Sequence, residues 1–548
     1  MNRKIQPELT LTQRFSFYMG TTIDHMRKVI SFLVIVLSFG IDAVAQKDTV
    51  VVVGQKMDGT ALSVPALHFD KSVFTFNFSG DKTNVCVSYR NRSKKGKSWK
   101  SQGMISLLNF KERRELWYRP INYKEESAIC TNKGVIVCKY TVNQHYNTFY
   151  SKINGRRLWE NSGSIIRTDE SLKLFFGYRT PLSDQLCAFS IADGAELWNT
   201  KVCRKYGWND QINISSSEKL VVADNLYRIN FSTGETLQYP LNAGQPDTGG
   251  NIVNVLAALT ATFMSFTTAK ILNSSFYYFY VPMLGGFAGM TSNICQNDSV
   301  YYIADRDRVS CVDTLLNPKW TCNFLDNVAS HSELFVNGDR LYMLNMGYGL
   351  KNDSIQVKRG KPFLASYDIH TGKQIYMNML SPKKDTIQGA IATKDAFFII
   401  SDSALVYQNV VDTTVSRHDW NVKKYGKLCK FVTDTVYAID SIKGNFTPIC
   451  FDGANCPVYS HNGHLYIVDK DFNIKADYPK NLIYTPYVSM KDYFCVNKGD
   501  DFWFIHKFGL PVIHFNTGIR HSEFLGNKLA LLTDKNDLIY IDLDKVIN

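Results

Sequence analysis

His461 and His464 flank Asn462 and Gly463, a two-residue turn that would set the two imidazoles across a hairpin, and two imidazoles can begin a metal site. No third ligand stands at a completing distance along the chain, so ordinary turn-flanking residues account for the pair equally well. Just beyond, Asp469, Asp471 and Asn473 imitate the opening of a calcium loop. Ile474 occupies the sixth place, where the sharp bend needs glycine, and Lys480 the twelfth, where a bidentate glutamate belongs. That stretch reads as a polar turn. No phosphate-cradling glycine loop with lysine, no nucleophile elbow and no zinc-protease helix occurs in the sequence.

The 12 cysteines allow disulfides in an oxidising compartment, and the closest spacings are Cys450 with Cys456, Cys130 with Cys138, and Cys311 with Cys322. A second reading competes, because Cys86 sits between Val85 and Val87, and Cys138 follows Val135, Ile136 and Val137, where a buried hydrophobe would stand. No Cys-x-x-Cys occurs, which removes thioredoxin-like and c-type haem chemistry. One dense basic run, Arg90, Arg92, Lys94, Lys95, Lys97 and Lys100 around Trp99, could bind phosphate-rich lipid or nucleic acid. Placed between two apolar runs, it equally suits a solvated hairpin tip.

Elements that could position such residues are strands. With 45% hydrophobic, 20% charged and 13% aromatic residues among 548, the chain has ample apolar material for a large core, and its 34 Phe and 30 Tyr favour strands over helices. Short runs of Val, Ile, Tyr, Phe and Leu alternate with Gly, Asn, Asp and Ser clusters at the spacing of an all-β protein. At the N-terminus, Met26, Arg27 and Lys28 precede the apolar run 29–40 and then Ala43, Val44 and Ala45, the three-part pattern of a secretory signal peptide. Residues 1–45 therefore read as an upstream extension and signal peptide with Met26 as the start. The exported chain would begin near Gln46.

One segment recurs: an alternating strand, a tight polar turn and a second strand beginning near a tryptophan. Asn109 and Arg114 lead into Trp117, Asn154 and Gly155 into Trp159, and Asp193 and Gly194 into Trp198. Thr233 and Gly234 lead into Leu237, Val312 precedes Trp320, and Gly372 leads to Tyr376 in the tryptophan place. A period near forty residues is that of a four-stranded propeller blade. Glycine would permit the turn its positive φ, and the indole would pack between neighbouring blades. Later copies, at 436–440, 465–469, 502–508 and 538–542, keep a strand and a turn but no tryptophan four residues after a turn glycine. Closure would bring the strands of 530–542 near those of 49–53.

The stretch Tyr367 to Lys373, Tyr-Asp-x-x-Thr-Gly-Lys, and the Asp-Gly-x-x-x-Trp turn from Asp193 to Trp198 resemble the repeat of the pyrroloquinoline-quinone-like propellers. Ser366 and Tyr376 depart from that pattern, and the resemblance covers roughly 105–377. It implies a single all-β propeller of about eight four-stranded blades, with seven the alternative, spanning 46–548. The superfamily includes quinoprotein dehydrogenases and the propeller lipoprotein of the outer-membrane barrel-assembly machinery. A quinoprotein dehydrogenase would carry adjacent cysteines, and none are adjacent here. The motif is structural and carries no chemistry of its own.

The repeat is interrupted at 241–292. Residues 251–269 carry no charge, nor do 271–290, and Lys270 alone separates them. The first piece could be a helix; Phe263 and Phe266 in it, with Phe276, Tyr277, Tyr278, Phe279 and Tyr280 in the second, form a candidate interaction surface. An insertion folded over one end of the propeller, a partner-binding surface and a membrane-inserting hairpin are the three readings.

Together these features point to a non-catalytic exported propeller that binds a protein partner or acts as a scaffold in the bacterial cell envelope, periplasmic or at the outer membrane. Neither cofactor, metal nor nucleic acid is expected, and membrane contact through 251–290 stays open. The alternative is a ligand or glycan site on the central axis, with enzymatic activity there a possibility of the same reading.

Overall fold

Apolar runs of five or six residues, cut by turns that tolerate left-handed backbone, fold into antiparallel strands with one side chain in two directed at each neighbouring sheet. The structure, a computed structural model, describes residues 46–246 apart from 57, 94–97, 141–144 and 181–182, and 287–419 apart from 325–327, 352–354, 382–384, 393–395, 402 and 411–412. It further describes 429–431, 434–438, 456–460, 465–468, 474–477, 483–484, 493–506 and 511–547. The signal-peptide segment 1–45 lies outside these residues, as do His461, His464, Asp469, Asp471 and Asn473. Among the described residues the one helix is the short Asp544–Ile547.

Among the described residues seven four-stranded meanders follow one another. The first consists of Val73–Phe78, Asn84–Arg92, Trp99–Asn109 and Arg114–Asn122, each strand hydrogen-bonded to the next in chain order. Units two to seven occupy 126–162, 164–201, 210–240, 295–323, 332–379 and 387–419. A five-stranded sheet spans 429–477, and a nine-stranded sheet joins the strands of 483–515 to those of 519–542.

The nine-stranded sheet is made by the N-terminus. Ala61–Phe69 pairs with Asp537–Asp542, through Ala66 opposite Ile539 and His68 opposite Asp537, and supplies the outermost strand of the last unit. Its hairpin partner Gln46–Lys56 reaches the unit before, with Gly54 opposite Phe515. Closure thus uses 61–69 rather than 49–53, because a strand can offer only one free edge to the last sheet. A bulge between Val52 and Gly54 turns the other strand toward Pro511–Phe515.

No sheet covers both its faces alone, and the buried clusters show how they are covered: each joins two successive units. Cys86, Leu107 and Trp117 of unit one pack on Cys130, Val135 and Val137 of unit two. The same holds between units two and three, three and four, and so on to seven. Leu67, Phe69, Ala530 and Leu532 then pack against Val73, Phe76 and Val85, so the end of the chain meets its beginning. Sequential sheets stacked face to face and joined through the two termini make a β-propeller-like fold.

The tryptophans act between units, each resting on the turn glycine of the next. Trp159 Nε1 donates to the carbonyl of Ile191 at 3.0 Å, Trp198 to Phe231 at 2.9 Å, and Trp320 to Ile369 at 2.9 Å. A Cβ on Gly194 would stand 2.7 Å from the Trp159 ring, and one on Gly234 would stand 2.8 Å from Trp198. A Cβ on Gly155 would stand 3.0 Å from the Trp117 ring, and one on Gly372 would stand closer still to Trp320. The acceptor's place in unit two is held by the exposed Lys152, and there Trp117 Nε1 has no hydrogen-bond partner among the described residues.

Left-handed backbone alone does not demand glycine here. Arg113, Leu316 and Thr413 hold the same turn position in units one, five and seven with φ of 52°, 65° and 60°. The strands before the latter two offer Gln238 and Tyr376 instead of tryptophan. Glycine stands where an indole needs the space of a side chain. Gly194→Ala is therefore expected to destabilise the protein by about 2–3 kcal/mol through the Trp159 collision, whereas Arg113→Gly should be neutral or stabilise by up to about 1 kcal/mol. Denaturant midpoints of the two variants test this.

A second prediction concerns closure. Glu523, on the first strand of the last unit, is nine-tenths buried and accepts a hydrogen bond from Phe78 N at 3.2 Å. Burial raises its carboxyl from 4.5 to about 8. A raised folded pKa means that the native state binds the extra proton, so this contribution to stability is full below about 4.5 and is lost as pH rises through 8. Glu523→Gln should flatten that part of the pH profile, seen as a smaller fall in melting temperature between pH 5 and 8.5 than in the parent chain.

Candidate functional site

In an antiparallel meander the links from strand one to two and from three to four emerge at one end, and those from two to three and from four to the next unit at the other. The tryptophan-bearing turns lie at the first end, where Asp81 N donates to Asn132 Oδ1 and Lys82 Nζ to the carbonyl of Leu525. The second end carries the irregular links, and it is the candidate site.

Two of its links are long and they meet. The link after unit four contains Gly244–Pro246 and Phe287–Gly289, paired as Gly244 with Gly289 and Pro246 with Phe287. Within unit six, the link from its second to its third strand contains the hairpin Tyr348–Lys351 and Ile355–Lys358. Gly289 pairs with Leu350, so four strands from two places in the chain form one sheet outside the series of meanders.

Supports beneath this sheet are polar and buried or half-buried. The link 202–209 is fixed by Tyr178, which carries the Arg204 guanidinium 3.4 Å over its ring and accepts from Trp208 Nε1 at 2.8 Å. Tyr206 on that link reaches Gly289, where a Cβ would meet its carbonyl at 3.3 Å. His331 stacks on Tyr348, hydrogen-bonds the carbonyl of Thr291 through Nδ1 at 2.6 Å, and faces Glu333 across 3.4 Å. Asp210 accepts from Ile294 N at 2.7 Å. Asp305 accepts from Asn242, Asp307 and Arg308 amides, and Asp224 from Tyr206 N.

Burial raises the carboxyl groups of Glu333, Asp210, Asp305 and Asp224 above their ordinary values. Backbone N–H donors oppose that shift at the three aspartates, and His331 opposes it at Glu333. Such carboxyls hold link backbones in place. Among the described residues no three His, Cys, Asp or Glu are grouped to hold a metal ion.

The residues singled out in the sequence separate into two sets. Trp117, Trp159, Trp198 and Trp320 with Gly155, Gly194, Gly234 and Gly372 come together as contacts between units. Phe263, Phe266, Phe276, Tyr277, Tyr278, Phe279 and Tyr280 lie outside the described residues, between the paired strands ending at Pro246 and opening at Phe287. Two of the disulfide candidates are not bridges. Cys130 lies opposite Val135 and Cys138 opposite Ser127, and Cys311 and Cys322 face Trp320 and Val309; all four are unbridged. Burial pushes the Cys86 thiol up to about 12 and that of Cys311 to about 11, as for inert core residues. Cys450 lies outside the described residues.

His331, Glu333, Asp210 and the hairpin 348–358 escaped the sequence reading. The available signal was the distance between the apolar runs 341–344 and 363–367, too long for a turn.

The fold and the site define a β-propeller-like protein with one elaborated end. No protein-family model matches the chain, and no curated protein matches it in sequence. Among solved structures it is similar to BamB from Moraxella catarrhalis at 9% identity, covering 90% of this chain and 99% of that one, with a TM-score of 0.33. It is also similar to the computationally designed Ika8 protein (9% identity, 69% and 96% covered, TM-score 0.35) and to apo AztD from Citrobacter koseri (10%, 66% and 90%, 0.30). These likenesses are remote, and the propeller-like fold rests on the sheet order and the stacking of units. Among the described residues no helix is long and apolar enough to cross a membrane.

Breaking one partner of a buried pair strands the other. His331→Ala is expected to destabilise by about 3 kcal/mol, and His331→Ala with Glu333→Leu by clearly less than the two single changes added. Denaturant titration of the four proteins measures the coupling.

Proposed function

We propose that the chain is an exported, non-catalytic propeller of the pyrroloquinoline-quinone-like repeat type that binds a protein partner as a scaffold module in the bacterial cell envelope, periplasmic or at the outer membrane. In this reading 1–45 is removed as extension and signal peptide, 46–548 forms one propeller, and 241–292 is an insertion between two blades. Among the described residues, counting each meander, the five-stranded sheet and the two halves of the nine-stranded sheet as one blade gives ten, against the eight expected from the repeat spacing.

The observation that carries the reading is the extra sheet. A propeller whose blades are already covered by their neighbours has no packing need for a sheet assembled from 244–246, 287–289 and 348–358. Its pairing of Pro246 with Phe287 brings both ends of the segment 247–286, whose only charged residues are Asp247 and Lys270, to one place on the elaborated end. An apolar segment presented beside long links suits recognition of a protein surface.

Because the two ends are adjacent, 247–286 can be replaced by a short turn without disturbing the sheet. Pull-down from bacterial envelope extracts with the full chain and with this replacement should capture a partner only with the former. Identical partners from both, or none from either, would refute the role given to the segment.

A further inference from the structure

Strands two and three of unit one are longer than those of the next units. Asn84–Arg92 and Trp99–Asn109 run nine and eleven residues, against seven each for Gly134–Tyr140 and His145–Ser151. Pairing continues to Arg92 opposite Trp99, and Ser93 N donates to Ser98 O at 2.7 Å. The added length emerges at the elaborated end, since it is a link from strand two to strand three. From Tyr89 to Asn109 the sequence contains no Asp or Glu and six Lys or Arg.

The stem of this hairpin is built to be stiff. The Arg90 guanidinium lies 4.5 Å from the centre of the Phe74 ring and 4.9 Å from that of Tyr123, and its Nε donates to Lys100 O at 2.7 Å. Phe74 meets Trp99 edge-on at 5.1 Å, and Tyr123 OH donates to Met104 O at 2.8 Å. Gly103 makes the room, since a Cβ there would stand 2.6 Å from Tyr123. Above this stack Trp99 is half-buried, the exposed Arg92 lies 5.0 Å over its ring, and Lys100 is exposed beside it. Neither Arg92 nor Lys100 has a carboxylate within ion-pair distance among the described residues.

We infer that this hairpin docks the elaborated end of the protein onto an anionic phospholipid surface, with Arg92 and Lys100 taking lipid phosphates and Trp99 at the boundary between headgroups and acyl chains. Half-exposed tryptophan flanked by cations matches that boundary, where an amphipathic ring sits between water and hydrocarbon and each cation gains from the surface potential. The rigid stem means that little freedom is lost on docking. A nucleic-acid strand would use the same cations but would want the ring face free for base stacking. Here Arg92 lies over the Trp99 face.

Co-sedimentation of the purified chain with vesicles of phosphatidylglycerol and phosphatidylcholine, against phosphatidylcholine alone, tests this inference. Binding is expected only with phosphatidylglycerol, weakening as salt is raised, and Arg92→Glu with Lys100→Glu should lower the partition constant roughly 25-fold or more, about fivefold for each cation lost. Reversing Lys111 and Arg114, on the tryptophan-turn end of the same unit, should change it by about twofold or less. Quenching by vesicles with brominated chains should be present in the parent and reduced in Trp99→Phe, a substitution that leaves the stem intact. Equal loss from both pairs of reversals, equal binding to neutral vesicles, or binding to a 20-nucleotide single strand but not to vesicles would overturn the inference. The vesicles contain no protein, so this outcome is independent of the partner proposed above.

Discussion

A four-stranded meander has two apolar faces and can bury neither by itself, so its stability is set by what its neighbours supply. In this chain that supply takes a specific form: an indole from one unit laid over the turn of the next, its N–H bonded to a carbonyl three residues before the turn glycine. The contact joins two repeats through residues that belong to different copies. Trp159 is meaningless without Gly194, and Trp198 without Gly234. Where the indole is missing, as at Gln238, the following turn is released from glycine and takes Leu316, whose side chain is buried in the cluster between units four and five. Loss of one half of the contact and loss of the other go together because sterics couple them.

The same logic governs the ends of the chain. Each internal unit finds neighbours on both sides, but the first and last must find each other. The N-terminal strand Ala61–Phe69 completes the last sheet, and Leu67 and Phe69 then enter the cluster with Val73, Phe76 and Leu532. Closure is a covalent fact as well as a packing one, since the strand that completes the last sheet leads directly into the first strand of unit one. Glu523 and His521 are buried at this seam. Their polar demands are met in part by the backbone of the strand opposite, Glu523 by Phe78 N and His521 by Phe76 O.

Much of this was legible in the sequence because the features involved are periodic. The glycines at 155, 194 and 234, the tryptophans four residues after the first two, and the alternating strands before them fix both the element type and the unit length. What escaped was whatever breaks the period. The registry of closure depends on which of two adjacent N-terminal strands carries the free edge, a matter decided by a bulge at Val52 to Gly54 that no residue pattern announces. Two of the proposed disulfides failed for a similar reason. Closeness along the chain placed Cys130 near Cys138, but the hairpin register sets them opposite different residues, and burial makes the thiols ordinary core members. The polar support of the elaborated end was hidden because Asp210 opens unit four while His331 and Glu333 stand together at the start of unit six, and no spacing within one copy brings all three together.

Regularity at one end and irregularity at the other follow from where the constraint acts. Each tryptophan turn must fit the indole of the unit before it, so the links at that end are short and can hardly vary without losing the contact. At the opposite end, among the described residues, no indole laid over a turn couples one link to the next, and the links range from Gly163 alone between units two and three to the whole of 241–294 between units four and five. Extra length added there does not disturb the stacking of sheets, which is why the hairpin of 84–109, the hairpin of 348–358 and the paired strands 244–246 and 287–289 all emerge on that side. Buried and half-buried carboxyls then hold these links by their backbone amides: Asp305 takes three, Asp210 two and Asp224 at least one. The fold thereby separates two tasks that compete for the same residues in a smaller protein. One end keeps the sheets together, and the other is left to carry the surfaces on which recognition depends.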